Sequence, residues 1–426
     1  MRVRCTIDVL LELGFKVDLL ALPYGENVEA KGLTTHRTVR IPWIKSVPIG
    51  PSWSKLLYGI LLSITAMKLC YFRGVRYSAI HGIEEGGVIA AVLGTIGRKP
   101  FVFDMHSQMS EQIKDKKLPK LLSGFVSLLE RFSIQKAGAV VTVADHLTEY
   151  AKKISPKTPA ESIQDIPLAS SNQIDSGNVA TYRQNLAADN SKIFVYTGNF
   201  EQYQGVDLLL RAFQKINQNS TCAYTLILVG GGEPEVDPQR VKLEKLAEVL
   251  GVRQSVVFAG AKPIEAMGDF MALADVLVSP RVSGANTPLK IYSYMESEKP
   301  IVATNISSHV QVLDSNSAYL CEPNEDSLAQ AMMESCVESE EATAKRAKLI
   351  AKAKHLVVTK YSRECFKEKL GNLYNSFASE RAQADEFAQE FRYARRKISS
   401  GGMVWLSIEL FEIEFVEALL CLGCNL

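Results

Sequence analysis

The chain has 426 residues, 47% hydrophobic and 22% charged, a balance that fits globular domains and excludes a disordered or coiled-coil protein. Lys and Arg number 48 against 47 Asp and Glu, leaving a formal charge of +1; no global field draws the chain to nucleic acid or an anionic membrane, so any phosphate binding has to be local. Eight scattered cysteines outline no disulfide framework and fit a reducing, cytoplasmic setting.

From the start, Met1 to Asp8 reads as an amphipathic helix and lacks the layout of a secretory leader. Strand-like apolar runs follow at 16–22, 77–81, 100–106 and 139–143, each succeeded by a loop or an amphipathic stretch. An apolar run between Lys55 and Lys68 is shorter than the roughly 20 residues a membrane span needs, and we read it as a core helix in preference to a membrane-surface contact. Peripheral contact with the cytoplasmic face of a membrane stays compatible with it.

The strand-helix alternation resumes at 193–197, 224–229, 255–258, 276–279 and 300–303. It predicts an α/β chain of two doubly wound, Rossmann-like domains with parallel sheets, at 1–173 and 192–358, joined by a linker at 174–191. A helix at 359–380 is expected to pack back on the first domain, and 381–426 is a tail without an assigned structure. In that tail Arg392, Arg395, Arg396 and Lys397 read as a solvated face, Glu409, Glu412, Glu414 and Glu417 argue against a bilayer span, and Cys421-Leu-Gly-Cys424 is a lone CxxC.

Ligands of such sheets bind beyond the carboxyl ends of the strands, here expected in the cleft between the domains. Three junctions in the second half offer phosphate-binding geometry. In Tyr196-Thr-Gly-Asn-Phe-Glu-Gln-Tyr-Gln-Gly, Gly198 lets the chain turn and Gly205 opens a helix. Val229-Gly-Gly-Gly, with Gly230, permits close backbone approach but equally suits a plain tight loop. In the third, Thr287 suits an N-cap, Pro288 the first helical position, and Lys290 the first turn. A cation at that helix end costs about 0.3 to 1 kcal/mol, which points to an anion nearby; the competing reading is a surface lysine paired with a carboxylate. In the first half, Asp104-Met-His106 and His81-Gly-Ile-Glu84-Glu85 end strands at the carboxyl edge, where the two glutamates suit helix capping as well as a pocket lining.

Several pieces together resemble the family 4 retaining glycosyltransferases: Leu13-Gly-Phe-Lys-Val, Phe101-Val-Phe-Asp-Met-His-Ser, Val195-Tyr-Thr-Gly-Asn to Gly205-Val-Asp-Leu-Leu-Leu, Leu228-Val-Gly-Gly-Gly, Ala274-Asp-Val-Leu-Val-Ser-Pro and Lys299-Pro-Ile-Val-Ala-Thr. The resemblance covers about Thr6 to Phe377 and implies the GT-B fold of two facing Rossmann-like domains. It implies hexosyl transfer, with retention and without metal or cofactor, from a nucleotide diphosphate sugar on the second domain. The acceptor, on the first domain, would be a hydroxyl of a glycan, lipid or small molecule. Carried onto this chain, His106 and Lys290 take catalytic places. Gly198, Asn199, Gln204, Gly205, Gly230, Arg281, Asn286, Thr287, Pro288, Leu289 and Ser293 take donor-side places, and His81, Glu84 and Asp104 lie on the acceptor side.

The chain departs from that pattern in three ways. The family's Arg and Lys in the first glycine loop are replaced by Asn199 and Gln204. Its two glutamates around the third junction are replaced by Ser293 and by Ser283 or Ala285. Four unreplaced charged hydrogen bonds, at about 1.5 to 3 kcal/mol each, would abolish donor affinity, so Arg281 and Lys290 are expected to compensate. The alternative is a catalytically impaired GT-B scaffold that binds a nucleotide or a partner glycosyltransferase. Finally, Met1 stands almost at the first helix, so the first sheet is expected to lack its first strand.

Overall fold

The computed structural model describes residues 2–25, 28–44, 53–73, 77–110, 120–167, 174–218, 222–232, 237–376 and 404–409. Among the described residues the chain divides into two units, one built from Met1–Gln164 with those from Phe366 onward, the other from Asp165–Cys365.

The first unit opens with α1 (Arg2–Glu12), β1 (Lys16–Ala21), β2 (Leu33–Arg37), α2 (Trp53–Phe72), β3 (Tyr77–Ile83) and α3 (Glu85–Gly97). It continues through β4 (Phe101–Met105), α4 (Lys120–Lys136), β5 (Ala139–Thr142), α5 (Asp145–Ile154) and β6 (Ala160–Ser162). Strands β3, β4 and β5 are buried at every position, as expected for parallel strands covered by helices on both faces. The helical run 363–376 belongs to this unit: Phe366, Leu370 and Tyr374 are buried, and Lys369 donates to the Ser162 carbonyl at 2.9 Å.

The sheet of this unit has seven parallel strands in the order β2-β1-β13-β3-β4-β5-β6, where β13 is Val404–Glu409 from the tail. This corrects the expectation of a missing strand. The interior place between β1 and β3 is filled from the far end of the chain, in register from Lys16↔Val404 to Leu20↔Ile408 on one side and from Trp405↔Ala79 to Glu409↔Ile83 on the other. Helix α2 corrects a second reading. Tyr58, Leu62, Ala66, Leu69 and Cys70 are buried, yet only 28% of its most apolar stretch is covered, so it is a core helix on one side alone.

The second unit begins with α6 (Ser176–Leu186), inside the stretch read as a linker. Asp175 caps this helix by accepting from the Gly177 and Asn178 amides, Asn178 donates to Asp269, and the Tyr182 ring stacks on Phe270 at 4.6 Å, so the stretch is packed structure. There follow β7 (Lys192–Thr197), α7 (Val206–Gln218), β8 (Tyr224–Val229), α8 (Pro238–Val249), β9 (Val256–Gly260), α9 (Met267–Leu273) and β10 (Val276–Ser279). The unit ends with α10 (Leu289–Glu296), β11 (Ile301–Thr304), α11 (Ser307–Val310), β12 (Tyr319–Cys321), α12 (Glu325–Cys336) and α13 (Glu340–Lys360). Its six strands are parallel, in the order β12-β11-β10-β7-β8-β9. The chain leaves β7 to one side for β8 and β9 and later returns to the other side as β10, so the strand order switches between β7 and β10. That is the place where open α/β sheets bind ligands.

Among the described residues, Cys70, Cys321, Cys336 and Cys365 are free thiols. The CxxC at Cys421 and the basic cluster around Arg395 lie outside the described residues.

Candidate functional site

In the second unit, the loops after β7, β8 and β10 are stitched together at the carboxyl edge of the switch point. The Gly198 amide donates to the Val229 carbonyl at 2.9 Å, the Gly230 amide to Gly260 at 2.9 Å, and the Val282 amide to Tyr203 at 2.9 Å. Gly198 and Gly230 both have positive φ, at 139° and 125°, and a Cβ added at Gly230 would lie 2.0 Å from the Gly198 carbonyl oxygen. Gly205, at φ 69°, ends a short 3₁₀ turn; a Cβ there would meet the Pro280 carbonyl oxygen at 2.2 Å. The glycines are therefore needed for backbone conformation and for loop-on-loop contact, which a merely flexible loop would not require. Gly230→Ala is expected to destabilise the second unit by about 2 to 4 kcal/mol, since strain and overlap act together, seen as a lower denaturant midpoint.

Lys290 projects into this cluster. Its Nζ donates to Gln204 Oε1 at 3.1 Å, sits 3.9 Å from the centroid of the Tyr196 ring, and would stand 3.0 Å from a Cβ at Gly198. No carboxylate pairs with it among the described residues, which replaces the reading of a surface lysine in an ion pair. Burial pushes its pKa well below the usual lysine range, and the Arg281 guanidinium pushes in the same direction. Arg281 itself donates to the carbonyls of Ser283 and Asn286 and lies over the Tyr203 ring at 5.0 Å, ordering the loop between β10 and α10.

The cap at α10 corrects the sequence reading. Pro288, with φ −64° and ψ 134°, occupies the N-cap, and the helix starts at Leu289. Thr287 instead directs its hydroxyl to Gln311 Oε1 at 3.5 Å. The extended ψ of Pro288 puts it outside the helix, and Lys290 remains in the first turn. Around it, Asn199 Oδ1 accepts from the Glu201 amide at 3.3 Å, Gln204 is buried against Lys290, and Ser293 is buried within α10.

The structure gives His309 a supporting place. It is fully buried, with Nε2 2.9 Å from Ser279 Oγ and Nδ1 2.8 Å from the Thr304 carbonyl, joining the ends of β10 and β11. Burial lowers its pKa to about 4, helped by Lys290 and Arg281, so the ring is neutral at pH 7. No spacing in the sequence marks it, because its partners come from two other elements.

The first unit holds a separate cluster at the carboxyl ends of β3 and β4. Asp104 is 2% exposed; Arg2 Nη2 and His81 Nε2 hydrogen-bond to it and His106 Nε2 lies in ion-pair contact, each at 3.3 Å. Burial alone would raise its pKa, but Arg2 and His106 outweigh it and hold the carboxyl well below the usual carboxylate range. Asp104 in turn raises the His106 pKa against the effect of burial. His106 keeps a quarter of its side chain exposed, whereas His81 is buried with its second ring nitrogen on the Tyr374 hydroxyl. Glu84 precedes α3 at φ 49° and makes no side-chain cap, so the capping reading does not apply to it. Its Oε2 accepts from Ser107 at 2.8 Å, while the buried Oε1 has no hydrogen-bond partner among the described residues. Burial raises its pKa to about 7 despite the nearby His106. A positive φ in a non-glycine residue beside an unpartnered carboxyl oxygen is strain of the kind found at functional sites.

Among the described residues no three His, Cys, Asp or Glu converge in a metal-binding group. A recess of about 1070 Å³ bordered by Asp314, Tyr319, Glu334 and Lys345 shares no residue with either cluster.

Comparison with known proteins bears on these clusters. Residues 179–356 match the family model described as glycosyl transferases group 1. An uncharacterised glycosyltransferase of Methanocaldococcus jannaschii is 25% identical over 336 residues, covering 75% of this chain and 80% of that one. The alpha-D-kanosaminyltransferase of Streptomyces kanamyceticus is 22% identical over 254 residues, covering 57% and 64%. Among solved structures, the sucrose-phosphate synthase of Thermosynechococcus elongatus superposes with a TM-score of 0.68 at 19% identity over 89% of this chain and 93% of that one. Anabaena HepE in complex with UDP superposes with a TM-score of 0.65 at 16% identity over 85% and 100%. The chain therefore has the GT-B fold, and its residues 179–356 are similar to the glycosyl transferases group 1 family.

Proposed function

We propose that this protein is a retaining glycosyltransferase that moves a hexosyl group from a nucleotide diphosphate sugar to an acceptor hydroxyl. The observation that carries the reading is Lys290, which has no carboxylate partner among the described residues and stands beside the Gly198–Gly205 loop at the switch point of the sheet. A diphosphate would supply the missing counter-charge, and the glycines would let backbone amides reach it. The solved HepE structures with UDP and with UDP-glucose support a nucleotide sugar as the donor class.

On this reading, Lys290 and the positive end of α10 offset charge on the leaving diphosphate, and Arg281 holds the loop that lies against it. Rate enhancement comes from preorganised charge and positioning, with no protein carboxylate required as nucleophile. In a retaining path of this kind the leaving phosphate takes the proton of the acceptor hydroxyl. In the first unit, Asp104 lies against His106 and raises its pKa, and the Glu84 oxygen without a partner among the described residues is offered to an acceptor hydroxyl. Neutral Gln204 substitutes for a second cation by fixing the Lys290 ammonium.

Calorimetry with UDP, GDP and their sugars, followed by mass-spectrometric product analysis over a donor panel, tests this. Saturable binding of one nucleotide and a glycosylated product are expected. Failure to bind any nucleotide diphosphate would remove the reading, and binding without transfer would mark a nucleotide-binding scaffold.

A further inference from the structure

Helix α2 carries apolar residues on both sides. Tyr58, Leu62, Ala66 and Leu69 face the core, whereas Trp53, Leu56, Ile60, Ile64 and Met67, three or four residues apart, are 41 to 82% exposed. A helix that is apolar all round is ordinarily enclosed, and this one has an open stripe along its whole length of about 30 Å. Neighbouring segments extend the stripe at each end. The Ile41 amide and the Ile44 carbonyl bond to Tyr58 and to its partner Tyr24, which places the 41–44 segment, with Trp43 at 79% exposure, beside the first turns of α2. At the other end the Tyr71 hydroxyl bonds to the Leu93 carbonyl of α3, next to Phe72 at 79% and Ile96 at 72% exposure. A contiguous apolar surface of this extent is rare on a protein that stays in water.

Charge selects the occupant. Helix α2 contains no Asp or Glu, and exposed Lys68, Arg98 and Arg40 stand on α2 or on the segments that flank it. Of the carboxylates around α2, Asp18 is engaged by Tyr77, His36 and Arg73, and Glu85 interacts with Lys55 of the helix. Exposed tryptophans, aliphatic side chains and cations together are the composition of a helix that lies in the plane of an anionic bilayer. Spanning is excluded for α2 as folded, because its other side is packed into the first unit.

We propose that the α2 face, with Trp43 and Ile96 at its ends, docks the first unit on the surface of an anionic membrane. The bilayer interface covers the stripe, and the basic residues meet lipid phosphates. The inference does not depend on the proposed transferase activity, and UDP binding can be measured separately on the same samples.

The test is co-sedimentation of the full chain with vesicles of phosphatidylcholine alone and of phosphatidylcholine with phosphatidylglycerol. The chain is expected to bind the anionic vesicles, more weakly as salt is raised. Ile60→Glu/Ile64→Glu/Met67→Glu, at positions already facing water, is expected to fold and bind UDP as the parent does. Its vesicle partition should fall by about 100-fold or more. Brominated lipid should quench the parent's tryptophan fluorescence, and less so after Trp43→Phe/Trp53→Phe. A parent that stays in the supernatant with both vesicle types overturns the proposal. So does equal binding by the triple variant, or a concentration-dependent dimer that forms through this face and binds no vesicle.

Discussion

Lys290→Met is expected to weaken UDP binding by about 10- to 100-fold while leaving the unliganded protein at least as stable as the parent. The two effects have one cause. Without a ligand, the Lys290 ammonium has Gln204 and the Tyr196 ring but no anion among the described residues, and burial together with Arg281 holds its pKa down. A base whose pKa is lower folded than unfolded destabilises the fold, fully below the folded value, and that cost fades as pH rises from the folded to the unfolded value. Methionine of similar length fills the space over Tyr196 without the cost, so the melting temperature at neutral pH should stay level or rise. When a diphosphate binds, the ammonium gains its counter-charge and its pKa rises. Binding must therefore take up protons above the unliganded pKa, and affinity must fall as pH increases through it. Calorimetry in buffers of differing ionisation enthalpy would detect the uptake in the parent and not in Lys290→Met. Equal UDP affinity in the two proteins would remove Lys290 from the site, and a lower melting temperature for the variant would show that the lysine is structural.

Much of the second unit was legible from the sequence, because its strands are continuous apolar runs and its loops carry glycines whose backbone demands are specific. The expected run at 224–229 coincides with β8, and that at 276–279 with β10. The expected placing of Gly198, Gly205, Gly230 and Lys290 at junctions on the carboxyl edge followed from the strand-helix alternation. What could not be read depends on partners distant in sequence. His309 gains its place only when β10 and β11 lie side by side, and Tyr196 lies under Lys290 only once the loop after β10 folds over β7. Asp104 in the first unit looked like one polar residue ending a strand; it is the hub joining Arg2, His81 and His106. The helix cap was misplaced by one residue because proline suits both the first turn and the residue before it, and only ψ separates the two. The 174–191 stretch looked like a linker because it is polar, but the hydrogen bonds of Asp269 and the Tyr182–Phe270 stack hold it in place.

The strand drawn from the tail leads to the other large effect: Leu406→Pro is expected to unfold the first unit while the second keeps its nucleotide affinity. Strand β13 has a parallel neighbour on each side, β1 and β3, and both ladders run nearly its full length. A proline in the middle of an interior strand removes an amide donor and forces its ring into the ladder, which interior strands do not tolerate. The damage then spreads. If β13 is displaced, the facing backbone edges of β1 and β3 lose partners together, at about 1 to 3 kcal/mol for each group left buried and unpaired. A few such losses match the whole stability of an ordinary domain, about 5 to 15 kcal/mol. Because β3 ends next to Glu84 and carries His81, the acid–histidine cluster should lose its geometry in the same step. The measurement is thermal unfolding followed separately by amide exchange in 77–83 and in 224–229. Early exchange in 77–83, with 224–229 protected and UDP still bound, is the expected pattern. Unchanged protection of 77–83 would show that the sheet closes without the tail and that β13 is not its interior strand.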